Sequence, residues 1–202
     1  MGTLFVISAP SGAGKTSLVR ALLAARANLV MSVSHTTRSP RPHEIDGRDY
    51  HFVSLARFEA LVREGAFLEH ASVFGNCYGT GAAEVGRELA AGHDVVLEID
   101  WQGARQVRAA MPGCTTIFIL PPSRAALRER LQARRTDSAA TIEQRLEQAI
   151  GDMGHYREFD EVVVNDDFQQ ALAELQQIMA GEREAFVPDR PAIAPLLRQL
   201  LA

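Results

Sequence analysis

The segment that most restricts the fold is residues 3–26. Thr3–Ser8 is a short apolar, β-branched run of the kind a parallel sheet buries on both faces. Ala9-Pro10-Ser11-Gly12-Ala13-Gly14-Lys15-Thr16-Ser17 follows, and Thr16–Arg26 then carries Leu18, Leu22 and Ala25 at helical spacing. Strand, small-residue loop and helix in that order form the setting of a phosphate-binding loop. Small residues at Ala9, Gly12, Ala13 and Gly14 allow backbone N–H groups to converge on phosphate oxygens, and the helix N-terminus adds partial positive charge. In such a loop Lys15 is expected to reach the β- and γ-phosphates of a nucleotide and the Thr16 hydroxyl to hold Mg²⁺. The eight-residue pattern asks for glycine first, and Ala9 stands there.

Lys15 is the only lysine among 21 basic side chains. A compact ammonium on a flexible stem suits a tight ring of amides, where the broad arginine fork does not. Lysine retained at this one position therefore points to phosphate contact.

Further apolar runs at Val30–Val33, Val95–Ile99, Thr116–Leu120 and Val162–Val164 alternate with helical patterns at Ala82–Ala91, Gln102–Ala110, Ser123–Ala133 and Phe168–Ala180. That alternation predicts an α/β domain with a parallel β-sheet core flanked by helices. Its core segments are 1–33, 82–123 and 151–182. Residues 34–81 break the rhythm: Tyr50–Val53 and Phe67–Phe74 flank a short helix, Ser54–Glu64, and read as an inserted lobe. Residues 124–150 read as an arginine-rich segment carrying Arg124, Arg128, Arg130, Arg134, Arg135 and Arg145. Its two helical halves meet at Thr136-Asp137-Ser138, and Thr141 with Gln144 fits a capping box. Arg124 and Arg128 are expected on a wet face. In the tail, 183–202, the short apolar helix Ala194–Leu201 is expected to dock on the core.

At 202 residues, 47% hydrophobic and 23% charged, the chain fits one globular domain. Net charge −4 supplies no basic field for nucleic acid. No apolar run approaches the roughly 18 residues that span a bilayer, and no charged segment precedes an apolar stretch as in a secretory signal. Cys77 and Cys114 lack metal or redox spacing and read as free thiols, so a cytoplasmic setting is expected. The six histidines show no metal-ligand spacing. Monomer and homo-oligomer both remain open.

Several motifs in order make the chain resemble the guanylate kinase family over residues 3–182. They are Ser34-His35-Thr36-Thr37-Arg38-Ser39-Pro40-Arg41-Pro42 with Glu44, Gly47, Asp49-Tyr50 and Phe52-Val53, then Glu69 and Gly75-Asn76-Cys77-Tyr78-Gly79-Thr80. After these come Glu98-Ile99-Asp100-Trp101-Gln102-Gly103, Leu120-Pro121-Pro122-Ser123 and Val164-Asn165-Asp166-Asp167. The resemblance implies a P-loop kinase fold with a GMP-binding lobe (34–81) and a lid (124–150). It implies transfer of the γ-phosphoryl group of ATP to GMP, with dGMP a second acceptor and Mg²⁺ as cofactor.

The same resemblance implies roles residue by residue. Arg38 and Arg41 grip the acceptor phosphate, a task suited to planar forks, with Ser34, Tyr50 and Tyr78 beside them. Glu69 reads the guanine N1–H and N2 amino donors, and Thr80 bonds the base. Asp100 organises Mg²⁺ with Thr16, and Glu98 and Asp100 also belong to the GMP site. Arg134 and Arg145, with Arg130, clamp the ATP phosphates, and Asn165 lies near the adenine. Catalysis then falls to Lys15, Arg38, Arg134 and Arg145.

Taken singly, the residues allow plainer readings: Arg38 and Arg41 on a solvated turn, Tyr50 and Tyr78 in a core, Glu69 facing water. A kinase of another phosphorylated metabolite would keep the loop and lid without needing Glu69 and Thr80. A phosphopeptide-binding module of this fold would not need Lys15-Thr16 intact.

Overall fold

A computed structural model describes residues 1–73, 75–133 and 139–202. In chain order the elements are β1 (Leu4–Ser8), α1 (Lys15–Ala25), β2 (Leu29–Met31), β3 (His35–Thr36), β4 (His51–Phe52), α2 (Leu55–Arg63), β5 (Phe67–Val73), β6 (Asn76–Gly81) and α3 (Ala82–Ala90). Then follow β7 (Asp94–Glu98), α4 (Trp101–Ala110), β8 (Thr115–Leu120), α5 (Arg124–Ala133), α6 (Ala139–Met153), β9 (Glu161–Val164), α7 (Phe168–Met179) and α8 (Ala194–Leu201). Phe74, Arg134, Arg135 and the Thr136-Asp137-Ser138 junction lie outside the described residues.

Five strands form one sheet in the order β2-β7-β1-β8-β9, parallel at every pairing. All five residues of β1 are buried, as expected for a central strand with helices on both faces. Its alternation divides the core. Leu4 and Val6 join Leu97, Phe118 and Leu120 under α3 and α4. Phe5 and Ile7 face Leu18 and Leu22 of α1 and Leu175 and Ile178 of α7. Each such side chain contributes about 1.5–3 kcal/mol on burial.

The tail docks on the first of these faces: Ile193, Leu197 and Leu200 belong to its cluster. Arg124 Nε donates to the Leu200 carbonyl at 2.9 Å. Arg124 is therefore half-buried beneath the tail, which corrects its expected place on a wet face, because the α8 C-terminus offers a free carbonyl there. Arg128 is exposed and pairs with Glu143 of α6. The capping box is also corrected: α6 begins at Ala139, so Thr141 lies inside its first turn.

Residues 34–81 build a second, mixed sheet, β4-β3-β6-β5. β3 pairs parallel with β4 and antiparallel with β6, which pairs antiparallel with β5. Ser54 caps α2 by accepting from Arg57 N at 3.2 Å. α4 lies against β5 and against β1, and so joins the two sheets. Among the described residues no helix is long and apolar enough to cross a membrane. Cys77 and Cys114 are free.

Candidate active site at the strand ends

β1 sits where the sheet order turns back, with β7 on one side and β8 on the other. Ligands of open parallel sheets bind at the carboxyl ends of strands at such a point. The phosphate loop follows β1 there. Its two left-handed residues are Gly12 (φ 91°) and Gly14 (φ 93°), so Ala9 occupies neither. The loop is also pressed from behind. A Cβ on Gly12 would fall 3.0 Å from Leu127, and one on Gly14 would fall 2.4 Å from Asn165 Nδ2. Asn165 is buried and donates to the Ala13 carbonyl at 2.7 Å. Arg130 Nη2 donates to the Asn165 carbonyl at 3.0 Å.

Lys15 opens α1 and its Nζ donates to the Ile99 carbonyl, just past β7, at 2.9 Å. Thr16 Oγ1 donates to Glu98 Oε1 at 2.5 Å. Asp100 caps α4, accepting from Gly103 N at 2.8 Å.

Three recesses adjoin one another here, and Lys15 lines the first two. The first, about 360 Å³, lies between the phosphate loop and α6, with Asp100 and Trp101 on its wall. Arg145, Gln148 and Asp152 line it, and their spacing puts them on one face of α6. Burial pushes the Asp152 carboxyl up, and Trp101 Nε1 donates to it at 3.1 Å. The second recess, about 170 Å³, shares Lys15 and Asp100 and adds Glu69, Tyr50 and Tyr78. The third, about 280 Å³, shares Tyr50, Tyr78, Ser34 and Glu98 and ends at Arg38 and Arg41. Shared walls make them one trough with Lys15 near its middle.

Glu69 owes its placement to a β-bulge. Phe67 pairs with Gly81, yet Glu69 pairs with Thr80, so the extra residue turns the carboxylate toward the Thr80 side chain. Glu69 is 3% exposed, and Thr80 Oγ1 donates to it at 2.5 Å. Burial pushes its pKa up to about 7 despite that hydrogen bond. At the far end, Arg38 Nη2 forks onto Glu44 at 2.7 and 2.9 Å, and Arg41 N donates to the same carboxylate at 2.7 Å. The Arg38 contact holds Glu44 below the usual carboxylate range. Arg38 also lies over the Tyr50 ring, 5.4 Å from its centroid. Burial raises the Tyr50 phenol.

The sequence matches the guanylate kinase family over residues 1–182. It is 56% identical over 200 residues to a guanylate kinase of Alkalilimnicola ehrlichii, covering 99% of this chain and 98% of that one. It is 55% identical to a guanylate kinase of Coxiella burnetii, covering 98% and 96%. The crystal structure of guanylate kinase from Anaplasma phagocytophilum superposes with TM-score 0.73 at 33% identity, covering 99% and 93%. The chain belongs to the guanylate kinase family.

As a guanylate kinase family member it has the P-loop kinase fold expected from the sequence, and most of the residues singled out there line its trough. Three do not. Asn165 and Arg130 brace the loop from behind through carbonyl contacts, and Arg134 lies outside the described residues. Thr80 is fully buried behind Glu69. Glu44, Gln148 and Asp152 are additions with no role assigned from sequence. The i, i+3, i+7 spacing of Arg145, Gln148 and Asp152 was a signal that could have found the last two. Among the described residues no group of three or more His, Cys, Asp or Glu could hold a metal ion.

Proposed function

We infer that this chain is an ATP:GMP phosphotransferase, the activity of its family, and that the trough holds its two substrates end to end. ATP phosphates lie along the first recess on the loop amides and Lys15, with Arg145 opposite. GMP lies with its base at Glu69, which Thr80 holds from behind, and its phosphate at Arg38, Arg41, Tyr50 and Tyr78. A single observation carries this reading: a buried carboxylate, Glu69, opens into the same trough as the loop lysine. A carboxylate accepts both the ring N–H and the amino group of guanine, and adenine would leave it unpaired.

No general base is required. The acceptor is a phosphate monoester whose second pKa is about 6, so it is mostly dianionic at neutral pH. The task is to bring two polyanions together while keeping water from the γ-phosphate. Lys15 supplies the point charge on the transferring group. Arg38, freed from or shared with Glu44, neutralises the acceptor. The second sheet and the α5–α6 segment close over GMP and ATP respectively.

The Thr16 hydroxyl with Glu98 and Asp100 is a hard-oxygen set that fits Mg²⁺ arriving with the nucleotide, since that ion is usually held by one or two carboxylates plus phosphates. Bound there, it would neutralise charge on the β- and γ-phosphates. The free thiols of Cys77 and Cys114 fit the reducing cytoplasm as the site of action. ADP release measured with GMP, AMP, UMP and dTMP as acceptors tests the reading. Turnover with GMP alone supports it, and equal turnover with any other acceptor contradicts it.

A further inference from the structure

The Glu69 carboxylate meets Thr80 on one side and α4 on the other, and its neighbour His70 is tied to the same helix. Its Oε1 accepts from Thr80 Oγ1 at 2.5 Å. Its Oε2 lies against the bare backbone of Gly103, where a Cβ would stand 2.6 Å from Oε2 and 3.2 Å from the carboxyl carbon. Gly103 is the third residue of α4, in the turn that Asp100 caps. Its φ is not left-handed, so the glycine is not demanded by the backbone. Alanine at an ordinary helical position favours the helix more than glycine does. What stands nearest to a side chain there is the Glu69 carboxylate, with Ile99 Cδ1 next at 3.3 Å.

The distance between α4 and Glu69 is itself fixed one turn further on. β5 is the edge strand of its sheet, and Gln106 completes that edge. His70 N donates to Gln106 Oε1 at 3.1 Å, and Gln106 Nε2 donates to the His70 carbonyl at 2.9 Å. This pairing uses the backbone of the residue next to Glu69. The helix therefore cannot slide away from the carboxylate without breaking two hydrogen bonds. The carboxylate cannot turn away from the helix without losing Thr80.

We infer that Gly103 and Gln106 are positioning residues for the acceptor base, holding Glu69 in the attitude that separates a 2-amino purine from one without the amino group. This rests on the proposed reading of guanine by Glu69. Oε1 already accepts from Thr80, so the place of Oε2 bears directly on whether both base donors are met. Gln106 sets the register and Gly103 leaves the room.

The test compares GMP with inosine 5′-monophosphate, which keeps the ring N–H and lacks the amino group. Wild-type enzyme, Gly103→Ala and Gln106→Met are assayed for KM toward each acceptor and toward ATP. For Gly103→Ala the expectation is a GMP KM raised about tenfold or more, a GMP-over-IMP preference in kcat/KM reduced by a similar factor, and an ATP KM within about twofold of wild type. A helix merely loosened would not change that ratio. Gln106→Met keeps the volume and removes both amide bonds, and should shift the ratio in the same direction by about threefold. If Gly103→Ala fails to fold, Gln106→Met alone decides. Variants that keep the wild-type GMP KM and the wild-type ratio overturn the inference. Wild-type enzyme with no preference for GMP over IMP would instead overturn the reading of Glu69 itself.

Discussion

Lys15 Nζ and the Ile99 carbonyl are 2.9 Å apart, a bond that joins the start of α1 to the end of β7 across 84 residues. It holds the ammonium over the junction of the recesses assigned to ATP and to GMP. Lys15→Ala should lower kcat by roughly 10²–10³-fold, the usual effect of deleting one preorganised donor to developing charge. Lys15→Arg should not restore it, because a planar fork cannot take the place of a point charge within the loop. Steady-state kinetics with both substrates saturating checks both variants.

Asn165 braces the loop where no side chain can replace it. Gly14 is left-handed at φ 93°, and a Cβ there would fall 2.4 Å from Asn165 Nδ2. Gly14→Ala should destabilise the fold by about 1–3 kcal/mol and raise the ATP KM. Asn165→Ala leaves the Ala13 carbonyl only the long 3.4 Å contact from Arg130 Nη1, a loss of about 1 kcal/mol. Urea unfolding midpoints measure the two costs.

Glu69 makes GMP binding pH-dependent. With its pKa pushed up to about 7, the free enzyme holds a proton there below neutrality. The proposed role needs the ionised form, so GMP affinity should fall as pH drops below about 7 and should reach its plateau above it. Binding in that range should release a proton, visible by calorimetry in buffers of different ionisation enthalpy. Stability of the unliganded protein carries the opposite sign. The native state binds the extra proton between about 4.5 and 7, so this group's contribution declines as pH rises through that window. Glu69→Gln should abolish both effects, leaving only the phosphate titration of GMP.

Leu200 ties the tail into the core. It is 0% exposed and belongs to the cluster containing Val6 and Phe118. Leu200→Ala should cost about 2–5 kcal/mol, read as a lowered urea midpoint. A change of less than 1 kcal/mol would mean that the tail is not docked in solution.

The sheet and its flanking helices were legible because each strand is a dense apolar run and each helix has one apolar face. Val95, Val96 and Leu97, or Leu18 and Leu22, announce burial without reference to the rest of the chain. β6 was not legible as a strand. Asn76, Gly79 and Gly81 disfavour that conformation, and pairing with β3 and β5 imposes it. Pairing also creates the bulge that turns Glu69 toward Thr80. The same holds for Arg124, whose partner is a carbonyl 76 residues away. Asp100 shows a further limit: helix capping and metal binding ask for the same carboxylate at the same strand end, and the residue type alone cannot separate them.

The most direct test of the account is the acceptor specificity of Glu69→Gln. The proposed reading of guanine predicts that kcat/KM for GMP falls by at least about 10²-fold while the ATP KM stays within about twofold, because an amide cannot accept from both base donors. A Glu69→Gln enzyme with wild-type kcat/KM for GMP would contradict it.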